Sequence, residues 1–118
     1  LTNALKNNKN IKSFSFGNDE YGKNHNNIDV HGSKILAKLL KLNKAIESIN
    51  LGCNLIDDNG IEFIAEALKE NTILKTISLH SNQLSSIDGV KYLCEALKIN
   101  ETITNIDLSA NNLCVDAY

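Results

Sequence analysis

Three segments of this chain carry one pattern at nearly constant spacing. They are Ile46-Glu-Ser-Ile49-Asn-Leu51-Gly-Cys-Asn54, Leu74-Lys-Thr-Ile77-Ser-Leu79-His-Ser-Asn82 and Ile103-Thr-Asn-Ile106-Asp-Leu108-Ser-Ala-Asn111. Each fits L-x-x-L-x-L-x-x-N with Ile and Leu interchangeable, and the steps between them are 28 and 29 residues. A unit this short cannot enclose a core of its own, so neighbouring units must supply it by stacking. The spacing predicts an α/β architecture: a right-handed solenoid of about 3.5 repeats of 28–29 residues, with parallel strands on the concave side and helices on the convex side.

The two halves of each unit have different periods. Phe14 and Phe16, Ile49 and Leu51, Ile77 and Leu79, and Ile106 and Leu108 alternate with polar residues, the pattern of a short strand with one buried face. Ile61, Ile64, Ala65 and Leu68 then lie at i, i+3, i+4 and i+7, one stripe of a helix. Val90, Leu93, Cys94 and Leu97 repeat the stripe, which makes Cys94 an expected core residue. Ser33, Leu36, Ala37 and Leu40 repeat it with Ser33 as the weak member. Asp29, the Asp57-Asp58-Asn59 run and Asp88 offer N-caps, and Lys41, Lys69 and Lys98 place positive charge at the helix ends. The chain therefore reads as one segment, residues 1–118, with repeats at about 11–45, 46–73, 74–102 and a partial one at 103–118. Leu5-Lys6-Asn7-Asn8 matches Leu40-Lys41-Leu42-Asn43, Leu68-Lys69-Glu70-Asn71 and Leu97-Lys98-Ile99-Asn100, so the pattern is running near the first residue and predicts a longer array.

Composition narrows the partners. The net charge is −2 and all twelve basic residues are Lys, which argues against nucleic acid and anionic membranes as partners and removes any arginine finger. The eighteen Asn, with no Arg, Pro or Trp, fit the codon bias of an AT-rich genome. No apolar run approaches the length of a membrane span, and no signal-peptide pattern is present. Three Cys without C-x-x-C spacing fit a reducing, cytoplasmic setting.

Ile64-Ala-Glu-Ala-Leu-Lys-Glu-Asn71 and Leu93-Cys-Glu-Ala-Leu-Lys-Ile-Asn100, following the strand motif and a Gly, carry a resemblance. Together they are similar to leucine-rich repeats of the ribonuclease-inhibitor type. That resemblance implies a non-catalytic protein–protein interaction scaffold of the kind that can form part of a larger assembly. The family also contains GTPase-activating proteins for Ran and cytosolic immune receptors, which stand as the alternatives. Nuclease inhibition itself is disfavoured, because a basic nuclease calls for an acidic, aromatic lining and this one is close to neutral.

Asn54, Asn82 and Asn111 fall where each strand ends, and Asn26 lies 28 before Asn54. They are expected to form a structural ladder that satisfies backbone groups in the turns. A Ran-activator role would need an asparagine or acidic cluster in this same region. The outward strand positions are small and polar, with Asn50, Ser78, His80 and Asp107 as candidate partner contacts. Repeat one carries seven extra residues between Phe16 and Asn26, and there Tyr21, Lys23 and His25 are further candidates. Overlaying the repeats sets His80 beside Gly52, one step from Cys53. That pair lacks an evident third group or oxyanion site, so no catalysis is expected. His25, His31 and His80 share no ligand spacing, so no metal or other cofactor is expected.

Overall fold

The computed structural model describes residues 2–17 and 26–113. Helices and strands alternate along the chain: α1 (Thr2–Lys6), β1 (Ser13–Ser15), α2 (Val30–Leu42), β2 (Ser48–Asn50), α3 (Asp58–Glu70), β3 (Thr76–Ser78), α4 (Ile87–Ile99) and β4 (Asn105–Asp107). The strands form one parallel sheet in the order β1-β2-β3-β4. Phe14, Ile49, Ile77 and Ile106 stand in register across it. Their strand neighbours are more exposed, so the period-two alternation turns one face of the sheet inward. Beyond the three-residue strands the ladder continues through Leu51 N–H to Ser78 C=O and Leu79 N–H to Asp107 C=O, both at 2.8 Å.

Each long helix begins on a side-chain cap. Asp29 accepts from the His31 and Gly32 amides, Asp57 from the Gly60 amide, and Ser86 from the Asp88 amide. The cap of α4 is thus Ser86, where the sequence suggested Asp88. Asp58 does a different job: its carboxylate accepts from the Ser85 hydroxyl and the Ser86 amide and so ties the start of α4 to α3. The Asp58 side chain lies so close to Gly89 that any Cβ there would overlap it.

The Asp29 carboxyl is held below its ordinary pKa, first by the Gly32 amide bond and then by the His31 amide and ring, against a contribution from burial in the other direction. The folded-state value lies below the unfolded one. The cap is therefore fully effective above the unfolded value and is lost as pH falls through the folded one. An NMR titration of the Asp29 carboxyl carbon is expected to give a midpoint below the ordinary aspartate value; a midpoint at or above it would contradict the cap.

Leu36 and Leu40 of α2, Ile64 and Leu68 of α3, and Leu93 of α4 are buried in one cluster with Ile49, Leu51, Ile77 and Leu79 from the sheet side. Ser33, the polar member of its stripe, is fully buried and donates to Asp29 C=O at 2.7 Å. The short helix α1 joins the same cluster through Leu5.

The expected solenoid of about 3.5 repeats is corrected here. The molecule is a small α/β domain of four parallel strands and four helices around one core, with extents of 42 × 37 × 23 Å. The physical reason is that the described strands and helices, α1 included through Leu5, share one core cluster.

Cys94 is also corrected. It is exposed, whereas its counterparts Ala37 and Ala65 are buried. Those alanines belong to helices followed by another helix; among the described residues none follows α4.

Candidate interaction surface

Two rows of asparagines brace the domain, one at each end of the helices. At the strand ends, the Asn82 amide donates to the carbonyls of Leu51, Leu79 and His80 at 2.9–3.2 Å, and its oxygen accepts from the Ile56 amide. Asn54 repeats this set with the carbonyls of Phe16, Leu51 and Gly52 and the amide of Ile28. Asn111 repeats it with Leu79, Leu108, Ser109 and the Leu84 amide. Asn26 donates to Phe16 C=O at 2.7 Å. The turns that deliver these side chains hold Cys53, Ser81 and Ala110 at φ of 55°, 52° and 55°.

The second row went unassigned in the sequence. Asn43, Asn71 and Asn100 cap the helix C-termini, and each donates to a carbonyl of the preceding unit: Leu5, Leu40 and Leu68. Each oxygen accepts two amides of its own loop, for example Ile73 and Leu74 at Asn71. Their recurrence in the aligned Leu-Lys-x-Asn segments was the available signal. Both rows join adjacent units through hydrogen bonds that are buried at Asn43, Asn71 and Asn82 and half-buried at Asn100 and Asn111, and so fix the spacing of the surfaces on either side.

On the sheet face, Ser15, Asn50, Ser78 and Asp107 lie side by side in register. The structure brings together four of the candidate contacts, Asn50, Ser78, His80 and Asp107, and in three of them one polar atom is engaged with a nearby group. Asn50 accepts from the Gly52 amide at 2.8 Å. Asp107 accepts from the Ser109 hydroxyl at 2.6 Å and amide at 2.9 Å. Those bonds, hydroxyl first, hold its carboxyl below the ordinary value, with a further contribution from His80. The His80 imidazole covers Gly52, where a Cβ would overlap the ring. Its Nδ1 stands 3.9 Å from Cys53 Sγ and 3.3 Å from Ser81 Oγ. Ser78 Oγ is enclosed with no hydrogen-bond partner. Tyr21, Lys23 and His25 lie outside the described residues.

The outer helix face is different in character. Lys34, Lys38 and Lys41 of α2 line a groove with Phe63 and Glu66 of α3. Lys34 Nζ sits 5.0 Å from the centre of the Phe63 ring. Glu62, Glu66 and Glu70 run along α3, with Lys41–Glu70 at 3.9 Å and Lys69–Glu66 at 2.6 Å. Being exposed, such pairs contribute little to stability. The charge of Glu62 beside Tyr92 of α4 raises the pKa of that phenol. Among the described residues no His, Cys, Asp and Glu cluster could hold a metal ion. No helix among them is long and apolar enough to cross a membrane.

No family model and no curated protein matches the chain. Solved structures do. One is the leiomodin-1 actin-binding site 2, with 30% sequence identity and a TM-score of 0.79 over 91% of this chain and 58% of that one. Another is the C-terminal domain of tropomodulin from Caenorhabditis elegans, with 16% identity and a TM-score of 0.75 over 93% of this chain and 62% of that one. The second likeness concerns the fold alone. The chain thus spans about three-fifths of the length of these structures.

These neighbours correct the resemblance to ribonuclease-inhibitor-type leucine-rich repeats. They also overturn the functions drawn from it: the repeat-family scaffold, the Ran-activator alternative and the immune-receptor alternative. The motif misled for a physical reason. It encodes inward apolar positions and an Asn-braced turn, and the strand–helix units of this domain use both.

Proposed function

We propose that this chain is an actin-binding module, acting through protein–protein contact and performing no chemistry. The observation that carries the proposal is its likeness to the leiomodin-1 actin-binding site 2 at 30% identity over 91% of the chain. The braced core supports it, because a platform whose units are tied by buried hydrogen bonds loses little conformational entropy on docking. The non-catalytic part is supported by the sheet face. Cys53 and His80 are 3.9 Å apart there, and most polar side chains beside them are turned onto their own backbone or one another. On this reading the protein works inside the cell, with the cytoskeleton.

Co-sedimentation with actin filaments and fluorescence anisotropy with labelled actin monomers test it. Saturable binding to at least one form is expected. No association with either would overturn the proposal.

A further inference from the structure

The net charge of −2 conceals a division along the chain. Residues 2–17 and 26–45 carry seven lysines, Lys6, Lys9, Lys12, Lys34, Lys38, Lys41 and Lys44, against the single carboxylate of Asp29. All seven are exposed. Residues 46–113 carry four lysines against ten carboxylates. Because the strands follow one another across the sheet in chain order, this division becomes a spatial one: a basic flank at α1–α2 and an acidic flank from α3 onward.

Two grooves border the basic flank, one at the α2–α3 seam, where Phe63 and Glu66 form the far wall, and one at α1 and the end of α2. One is lined by Lys34, Lys38 and Lys41, the other by Lys6, Lys9 and Lys44 beside the half-exposed Leu42. We infer that this α1–α2 lysine face, and not the sheet face, is the surface the chain presents to an acidic patch on its protein partner. The inference rests on the actin-binding reading and specifies its chemistry.

Complementary charge raises the rate of encounter and fixes orientation. Here the acidic flank reinforces the effect by repelling the same patch in the reversed pose. The sheet face has less to offer an acidic patch, since its in-register row of Ser15, Asn50, Ser78 and Asp107 holds no lysine and one carboxylate. A flat anionic bilayer fits poorly, because contact along α2 would also press Glu62, Glu66 and Glu70 of the adjacent α3 against it. A discrete acidic patch no wider than α1–α2 avoids that repulsion.

The test compares two triple charge reversals of equal net charge in filament co-sedimentation across a range of ionic strength. Lys6→Glu/Lys9→Glu/Lys38→Glu is expected to weaken actin binding at least about tenfold and to flatten its salt dependence. Lys75→Glu/Lys91→Glu/Lys98→Glu is expected to bind within about threefold of the parent, because its charges lie on the other flank. Circular dichroism checks that both remain folded, and single reversals at Lys9 and Lys38 replace any triple that does not. Equal losses in the two triples would mean that bulk charge alone matters and would overturn the inference. So would an unchanged lysine-face variant. Loss of binding by the parent chain to actin would overturn the functional proposal and this inference together. Lysine-dependent binding to phosphatidylserine vesicles without binding to actin would assign the face to lipid and overturn it.

Discussion

Replacing Asn82 by Ala is expected to destabilise the domain by about 4 kcal/mol, and Asn111 by Ala by about half as much. Asn82 is 6% exposed, and its side chain serves four backbone groups in two connections, its own after β3 and the one between β2 and α3. Alanine leaves the Ile56 amide without its partner and takes one donor from each of three carbonyls, which keep Asn54 at Leu51, Asn111 at Leu79 and the Cys53 amide at His80. A buried unsatisfied group costs roughly 1–3 kcal/mol and each further lost hydrogen bond about 1 kcal/mol, partly recovered by relaxation and water. Asn111 makes the analogous set of bonds but is half-buried, so water can replace more of what is lost. An Asp at position 82 keeps the acceptor but turns a second oxygen toward three carbonyls, so it should be worse than Ala at neutral pH. Urea denaturation followed by circular dichroism measures these differences. Equal, small losses at both sites would mean that the asparagine row is not holding the units together.

The second large effect is expected at Leu79. Its side chain is fully buried between the sheet and the helices, and it belongs to the single cluster that runs from Leu5 to Ala96. Leu79→Ala removes apolar contact and leaves a cavity the neighbours fill only in part, at a cost of about 3–5 kcal/mol. That is a large fraction of the total stability of a domain this size. Because the units share one core, unfolding should remain a single transition in the variant. Two separated transitions would mean that the units fold independently and would remove the basis for treating the domain as one rigid platform.

The local elements were legible in the sequence because each rests on a period that short-range sterics impose. Phe14, Ile49, Ile77 and Ile106 alternate as strand residues must, and they stand in register across the sheet. Ile61, Ile64, Ala65 and Leu68 mark the buried face of α3. What was not legible depends on neighbours. Cys94 shares its helical position with Ala37 and Ala65, but burial there comes from a following helix, which periodicity within α4 does not report. The choice of Asp88 over Ser86 as a cap shows the same limit at one-residue scale, since both types cap and the backbone angle at 86 decides.

The candidate site was legible only by position. Asn50, Ser78, His80 and Asp107 do fall on one face, yet the engagement of Asn50, His80 and Asp107 with nearby groups appears only in the folded turns. The lysine face was visible in principle. Averaging charge over the whole chain hid it, because seven lysines fall in residues 2–17 and 26–45 while ten carboxylates fall in residues 46–113.

Hydrogen–deuterium exchange of this chain, with and without saturating actin, tests most directly whether the lysine-rich flank is the docking surface. Protection concentrated in residues 2–12 and in α2, with the amides around Asn105–Ala110 little changed, is the predicted pattern. Protection confined to the strand ends around Asn50, Ser78 and Asp107, with α1 and α2 unaffected, would contradict it.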